Sequence, residues 1–315
     1  MNEPVLTFTP KGIYCPEGDF HIDPSGAVAR ALVTHGHSDH ASRGHGSYLC
    51  TAAALPVIRH RLGRIVAEGL AYGERRRIGG VVVSFHAAGH APGSAQIRVE
   101  RGGEVWVVSG DYKVEADGLS EAFAPVACHT FISECTFGLP IFRWRPEAEV
   151  LGEIRNWWAR NAAAGVVSVL AAYSFGKAQR LMAGLANSGP IWTHDAVEDV
   201  TEVLRAQGYG LPATHRVAGE VPRGALVIAP PNVMASDWAL GLGRVCLGFA
   251  SGWMALGARR RGVEAGFVLS DHADWPGLNG AIRATGCERV FVTHGYVEPF
   301  RRWLETQGYD AGIVG

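Results

Sequence analysis

Short apolar runs recur along the chain, each closed by a polar or glycine-rich turn. Residues 29–34 (ARALVT) lead into His35-Gly36-His37, residues 80–85 (GVVVSF) toward Gly89-His90, and residues 104–109 (EVWVVS) into Gly110-Asp111. Residues 131–133 lead into Glu134, residues 266–270 (GFVLS) into Asp271-His272, and residues 289–293 (RVFVT) into His294-Gly295. Short runs rich in β-branched residues and bounded by turn residues predict buried strands. The ligand-type residues fall just past the predicted strand ends, where loops on a rigid scaffold carry function.

The middle of the chain has a different rhythm. Helical spacing covers residues 146–164, with Trp157 and Trp158 inside it, then residues 176–186 and 195–207. Strand signals at 166–170, 191–193, 225–229 and 244–250 alternate with these helices. Such alternation predicts a small α/β domain with parallel pairing. Histidine-bearing segments lie on both sides of it, so it reads as an insertion. The expected division is 1–140, then the insertion at 141–255, then 256–315.

Composition places the chain among globular proteins. Its 315 residues are 47% hydrophobic and 19% charged, enough to bury a large core. No apolar run reaches the roughly 18 residues of a membrane span. Met1-Asn2-Glu3-Pro4 shows no basic stretch followed by an apolar one. A cytoplasmic protein without a membrane role is expected. Six cysteines, none spaced as C-x-x-C, read as buried reduced thiols and not as a thiolate metal site.

The formal net charge of -1 gives no basic field for a polyanionic partner, but it conceals local clusters. Arginines gather at Arg59, Arg61 and Arg64, at Arg75–Arg77, and at Arg259–Arg261, and only three of the 29 basic residues are lysine. Arginine forks suit phosphate. Solvated surface is the alternative for each cluster.

The chemistry concentrates in His35-Gly36-His37-Ser38-Asp39-His40. In an extended turn, His35 and His37 project to one side. Asp39 and His40 can then turn toward a neighbouring point, which suits two metals side by side. His90 can complete the first site, His294 the second, and Asp111 can bridge both. Imidazole and carboxylate without thiolate suit Zn²⁺ first and Mn²⁺ second. Two such ions acidify a bridging water and clamp a phosphoryl oxygen, with Asp39 and Asp111 orienting the resulting hydroxide. His272 is the candidate proton donor to the leaving oxygen, with Glu134 as its orienting partner. The other seven histidines, 21, 45, 60, 86, 129, 194 and 215, read as ordinary core or surface residues.

These same residues resemble a known group. His35-Gly36-His37-Ser38-Asp39-His40, Gly89-His90, Gly110-Asp111 and Thr293-His294-Gly295 are similar to the metal motifs of the metallo-β-lactamase superfamily. Ser133-Glu134-Cys135-Thr136-Phe137-Gly138 and Ser270-Asp271-His272 further resemble its β-CASP nucleases, and residues 172–179 and 250–254 look like segments of their inserted cassette. Residues 14–24, from Tyr14 to Pro24, resemble the bacterial exonucleases associated with an ATP-dependent DNA ligase.

The resemblance implies a four-layer αββα sandwich with an inserted β-CASP domain. It implies one metal on His35, His37 and His90, another on Asp39, His40 and His294, and Asp111 shared. Glu134 and His272 take the leaving-group role. Asp23 resembles an acidic residue that supports the histidine cluster; the alternative is a plain turn Asp before Pro24. The implied activity is an exonuclease acting on DNA in repair, linked to a ligase.

Artemis-type DNA nucleases have an apolar residue where this chain has His294, whereas RNA-cutting relatives have histidine. A ribonuclease is therefore the second reading. A small-molecule hydrolase needs no cassette, and a non-catalytic relative needs no full ligand set. Ser174 and Lys177 stand where a loop enters a predicted helix, so they can hold a substrate phosphate; N-capping by Ser174 is the alternative. Trp144, between Arg143 and Arg145, can stack a base or lie buried.

Overall fold

The computed structural model describes residues 4–257 and 263–315; the Arg259–Arg261 cluster lies outside them. The chain divides into two compact units, Met1–Arg143 with His272–Gly315, and Trp144–Asp271.

The first unit opens with a sheet of six strands. These are β1 (Thr7–Thr9), β2 (Gly12–Cys15), β3 (Phe20–Ile22), β4 (Arg30–Leu32), β5 (Ser47–Thr51) and β6 (Ala67–Leu70), hydrogen bonded in that order. From β3 onward the pairing is parallel. Helix α1 (Leu55–Leu62) lies between β5 and β6 in the chain. Five strands of a second sheet follow: β7 (Arg76–Ile78), β8 (Val81–Ala87), β9 (Ala95–Arg101), β10 (Glu104–Val108) and β11 (Thr130–Cys135).

The second unit is a six-stranded sheet paired in parallel throughout. Its elements are α2 (Glu147–Ala163), β12 (Val167–Ala171), α3 (Lys177–Leu185), β13 (Ile191–Thr193), α4 (Asp195–Ala206), β14 (His215–Arg216), β15 (Leu226–Ala229), β16 (Val245–Ala250) and β17 (Ala265–Phe267). The strands are ordered β14-β13-β15-β12-β16-β17. Apolar residues of α2, α3 and α4 close one face over Leu170, Ile191, Leu226 and Ile228. Both faces are covered, as parallel sheets require. This unit runs on to Asp271, because β17 pairs with β16.

The chain then returns to the first unit with α5 (Trp275–Thr285), β18 (Arg289–Gly295), α6 (Val297–Thr306) and β19 (Asp310–Ile313). These strands complete the second sheet in the order β19-β18-β11-β10-β9-β8-β7. Strand alternation sorts its side chains between two cores. Trp106, Val108 and Ile132 meet Leu32, Leu49 and Phe20 of the first sheet. Val105, Val107, Phe131, Val290 and Val292 face α5 and α6 instead. On the far side of the first sheet, Ala31, Val33, Tyr48 and Cys50 pack on Ile58 and Leu62 of α1. The first unit is thus layered helix, sheet, sheet, helix, and the molecule is α/β. Among the described residues no helix is long and apolar enough to cross a membrane.

Candidate metal centre

Strands β4, β8, β10, β11 and β18 all release chemistry-bearing side chains at the same end of the first unit. Parallel pairing of β10, β11 and β18 puts Asp111, Glu134 and His294 at one edge. Two glycines make the loop geometry possible. Gly89 has φ of +74°, and a Cβ there would meet the Lys113 carbonyl oxygen at 2.1 Å. Gly110 has φ of +56°, with Thr34 occupying the space of a Cβ. No side chain fits either position, so the residues that follow, His90 and Asp111, are delivered at fixed angles.

The ligand-type atoms converge. His37 Nδ1 stands 3.0 Å from His35 Nε2 and 3.0 Å from His90 Nε2. Asp111 Oδ2 lies 3.6 Å from His35 Nε2, 3.7 Å from His90 Nε2 and 3.4 Å from His40 Nε2. The four residues His35, His37, His90 and Asp111 form one group able to hold a metal ion, and His40, Asp111 and His294 form a second. The nitrogen spacing approaches the ~3.3 Å edge of a tetrahedron built on ~2.0 Å zinc–nitrogen bonds.

Charge and hydrogen bonding fit a cation. His40 Nε2 is buried and makes no hydrogen bond, with the Asp111 carboxylate 3.4 Å away, a state that costs roughly 1–3 kcal/mol unless something binds the atom. Burial, followed by the neighbouring His40, His90 and His37 rings, holds the pKa of His35 well below its usual value, so the ring is neutral as a ligand must be. Burial opposes charge on His40, but the Asp111 and Asp23 carboxylates outweigh it and hold its pKa well above the usual value, so a cation bound there takes the place of the ring proton. Burial likewise opposes ionisation of Asp111, and the rings of His40 and His272 overcome it, leaving its pKa well below the usual range. The donors present therefore match divalent metal ions of the imidazole and carboxylate class.

A supporting shell surrounds these atoms. Asp23 Oδ2 lies 2.7 Å from His40 Nδ1, and the same carboxylate accepts the backbone N–H of Thr34 at 2.9 Å and its hydroxyl. Asp23 has φ of 45° and His294 has φ of 53°. Side chains rarely adopt such backbone, and its cost of about 1–3 kcal/mol is tolerated where the surroundings enforce it.

Glu134 and His272 meet beside this cluster. Glu134 is buried, with Oε1 2.9 Å from His272 Nδ1 and Oε2 accepting the Thr136 N–H at 2.7 Å. The other nitrogen of His272 points at Asp111, with Nε2 4.0 Å from Oδ2.

Asp39 is placed differently. It is 70% exposed, with Oδ2 3.8 Å from His40 Nε2. Lys177 is bonded elsewhere: its Nζ lies 2.9 Å from Asp271 Oδ1, and both side chains are 3% exposed. The Ser174 carbonyl accepts the Gln179 amide. Arg145 forks onto Glu153 at 2.7 and 2.9 Å. Among the basic clusters, Arg75 pairs with Glu100 and Arg76 with Glu68. His45 and His129 accept backbone N–H groups, as ordinary core histidines do.

Three supporting residues escaped the sequence reading. Arg61 donates from α1 to the Gly36 carbonyl, between two of the clustered histidines. Ser94 Oγ accepts the N–H of His90 at 3.1 Å. Ser109 Oγ accepts the N–H of Glu134 at 3.2 Å. The arginine cluster was a visible signal for Arg61, but nothing local marked its target.

No family model matches the chain. A protein named "Probable DNA ligase" from Opitutus terrae is 31% identical over 310 residues, covering 96% of this chain and 30% of that protein. "Ribonuclease TTHA0252" from Thermus thermophilus is 28% identical over 200 residues, covering 54% of this chain and 45% of its own length. The chain thus spans less than half the length of either relative. A crystal structure of a protein of unknown function from Enterococcus faecalis superposes with a TM-score of 0.61 over 91% of this chain and 79% of that one, at 10% identity. The fold is shared with a solved protein.

Proposed function

We propose that this chain is a metal-dependent phosphodiesterase of the metallo-β-lactamase fold and its β-CASP branch, cutting DNA from an end. The observation that carries the reading is the Glu134–His272 pair, aimed at Asp111 beside two imidazole–carboxylate groups. A hydrolase needs a nucleophile and a proton for the leaving oxygen, and this arrangement provides for both.

In this reading His35, His37 and His90 hold one zinc or manganese ion, Asp39, His40 and His294 hold another, and Asp111 serves both. Bound as a pair, such ions acidify a water at neutral pH and polarise a phosphoryl oxygen. Asp111 orients the attacking water. Glu134 accepts from Nδ1 of the protonated His272 ring, and Nε2 gives its proton to the leaving oxygen. Asp23 fixes the His40 ring so that Nε2 faces inward. The substrate phosphate is left unassigned to Ser174 and Lys177, because the Lys177 ammonium is bonded to Asp271.

A nucleic-acid substrate is supported by the relatives' names, and DNA in particular by the ligase-named one, which also motivates a link to an ATP-dependent ligase in a cytoplasmic repair step. The second reading is a ribonuclease, favoured by the ribonuclease-named relative and by His294. Digestion of end-labelled single-stranded DNA and RNA at matched salt, with Zn²⁺, Mn²⁺ or Mg²⁺, separates the two. DNA shortened stepwise by wild type and left intact by folded Asp111→Asn supports the proposal. Equal cleavage by both proteins sinks it, and exclusive RNA cleavage selects the second reading.

A further inference from the structure

Cys128 and Cys287 stand apart from the metal centre, at the opposite ends of the strands that serve it. The parallel register of β11 and β18 pairs Thr130 with Arg289. Carried two residues back, the same offset sets Cys128 beside Cys287. The backbone follows: the Cys128 N–H donates to the Thr285 carbonyl at 3.1 Å, and the N–H groups of Glu288 and Arg289 both reach the His129 carbonyl at 3.3 Å. Neighbouring strands lie ~4.8 Å apart, inside the ~4.4–6.8 Å Cα separation a disulfide spans. Both thiols are free, and both join the core packed on α5 and α6.

We propose that Cys128 and Cys287 form a two-thiol modification site that closes to an intramolecular disulfide, with a small peroxide as oxidant. The Cys287 sulfur attacks one peroxide oxygen, the O–O bond breaks, and water leaves to give a sulfenic acid. The Cys128 sulfur then displaces that hydroxyl as a second water while the S–S bond forms. The two thiols together lose two electrons and two protons, and the peroxide becomes two waters. Cys287 is the attacking group because the neighbouring Cys128 thiol brings its pKa down to about 7, whereas that of Cys128 is raised. Cys50 shows the contrast, with burial pushing its thiol up to about 12.

The two side chains keep 9% and 6% of their surface exposed, so the oxidant must be as small as hydrogen peroxide. The cross-link would join the starts of β11 and β18, leaving Glu134 and His294 at their far ends untouched. A raised melting temperature with unchanged cleavage of DNA is therefore expected.

The test is graded hydrogen peroxide on the full chain, followed by non-reducing peptide mass mapping. One cross-linked peptide joining Cys128 to Cys287, short of two hydrogens and released by dithiothreitol, is the expected result. In Cys128→Ser, Cys287 should be trapped by a sulfenic-acid reagent instead. Absence of the cross-link in wild type, or oxidation of Cys246 ahead of Cys287, overturns the proposal. Neither readout depends on nuclease activity.

Discussion

Nδ1 of His40 lies 2.7 Å from Oδ2 of Asp23, and the same carboxylate holds the backbone and hydroxyl of Thr34. With one ring nitrogen fixed this way, the other is turned toward the cluster. The Asp23→Asn variant should bind divalent metal about 10–100-fold more weakly, the usual loss when a ligand's supporting carboxylate is removed. Competition with a chelator measures it, and unchanged affinity would mean that Asp23 is only a turn residue.

In the proposed reading Glu134 bears on proton transfer and not on metal binding. Glu134→Gln keeps the shape but no longer stabilises a protonated His272. Turnover should fall by ~10²–10⁴-fold, with KM and metal content close to wild type. Steady-state kinetics beside metal analysis check this, and a loss confined to KM would contradict it.

Arg61 ties α1 to the Gly36 carbonyl. Its removal frees the segment between His35 and His37. Arg61→Ala should weaken metal binding by about 10-fold, equivalent to ~1.5 kcal/mol for a hydrogen bond made by a charged group. Calorimetric titration with Zn²⁺ reads the change, and affinity equal to wild type would leave Arg61 a surface cation.

Glu198 organises one edge of the second unit. Its carboxylate accepts Thr193 Oγ1 at 2.5 Å, Thr214 Oγ1 at 2.6 Å and Arg205 Nη1 at 2.7 Å. Burial pushes its pKa up, but these three donors outweigh it and the net shift is downward. A depressed carboxylate stabilises the fold above its unfolded pKa of about 4.3 and loses that contribution as pH falls through the folded value. Glu198→Gln should therefore cost roughly 1–3 kcal/mol at neutral pH, with the gap to wild type closing on acidification. Urea melts from neutral pH down to about pH 3 test this; a constant gap would refute it.

The sequence displayed the centre more fully than the fold around it. His35, His37, His90, Asp111 and His40 were legible because each follows a short apolar run, and their atoms do converge. Strands β1, β3 and β7 have three residues each, too few for an alternation to register. Helix α1 escaped because its run is short and mostly basic or half-buried. The partner of Lys177 was invisible for another reason: Asp271 lies far along the chain, and such an ion pair leaves no local pattern. Asp39 looked like its neighbours in sequence, yet its side chain is 70% exposed while its Oδ2 lies 3.8 Å from His40 Nε2.

The Oδ2 atom of Asp111 sits within 4.0 Å of His35, His40, His90 and His272. In genetic terms such a position offers no graded allelic series. Replacement there strikes every arm of the cluster together, so a screen for hypomorphs should recover it only among complete losses. Partial phenotypes should instead trace to His294, whose exposed ring serves a single group.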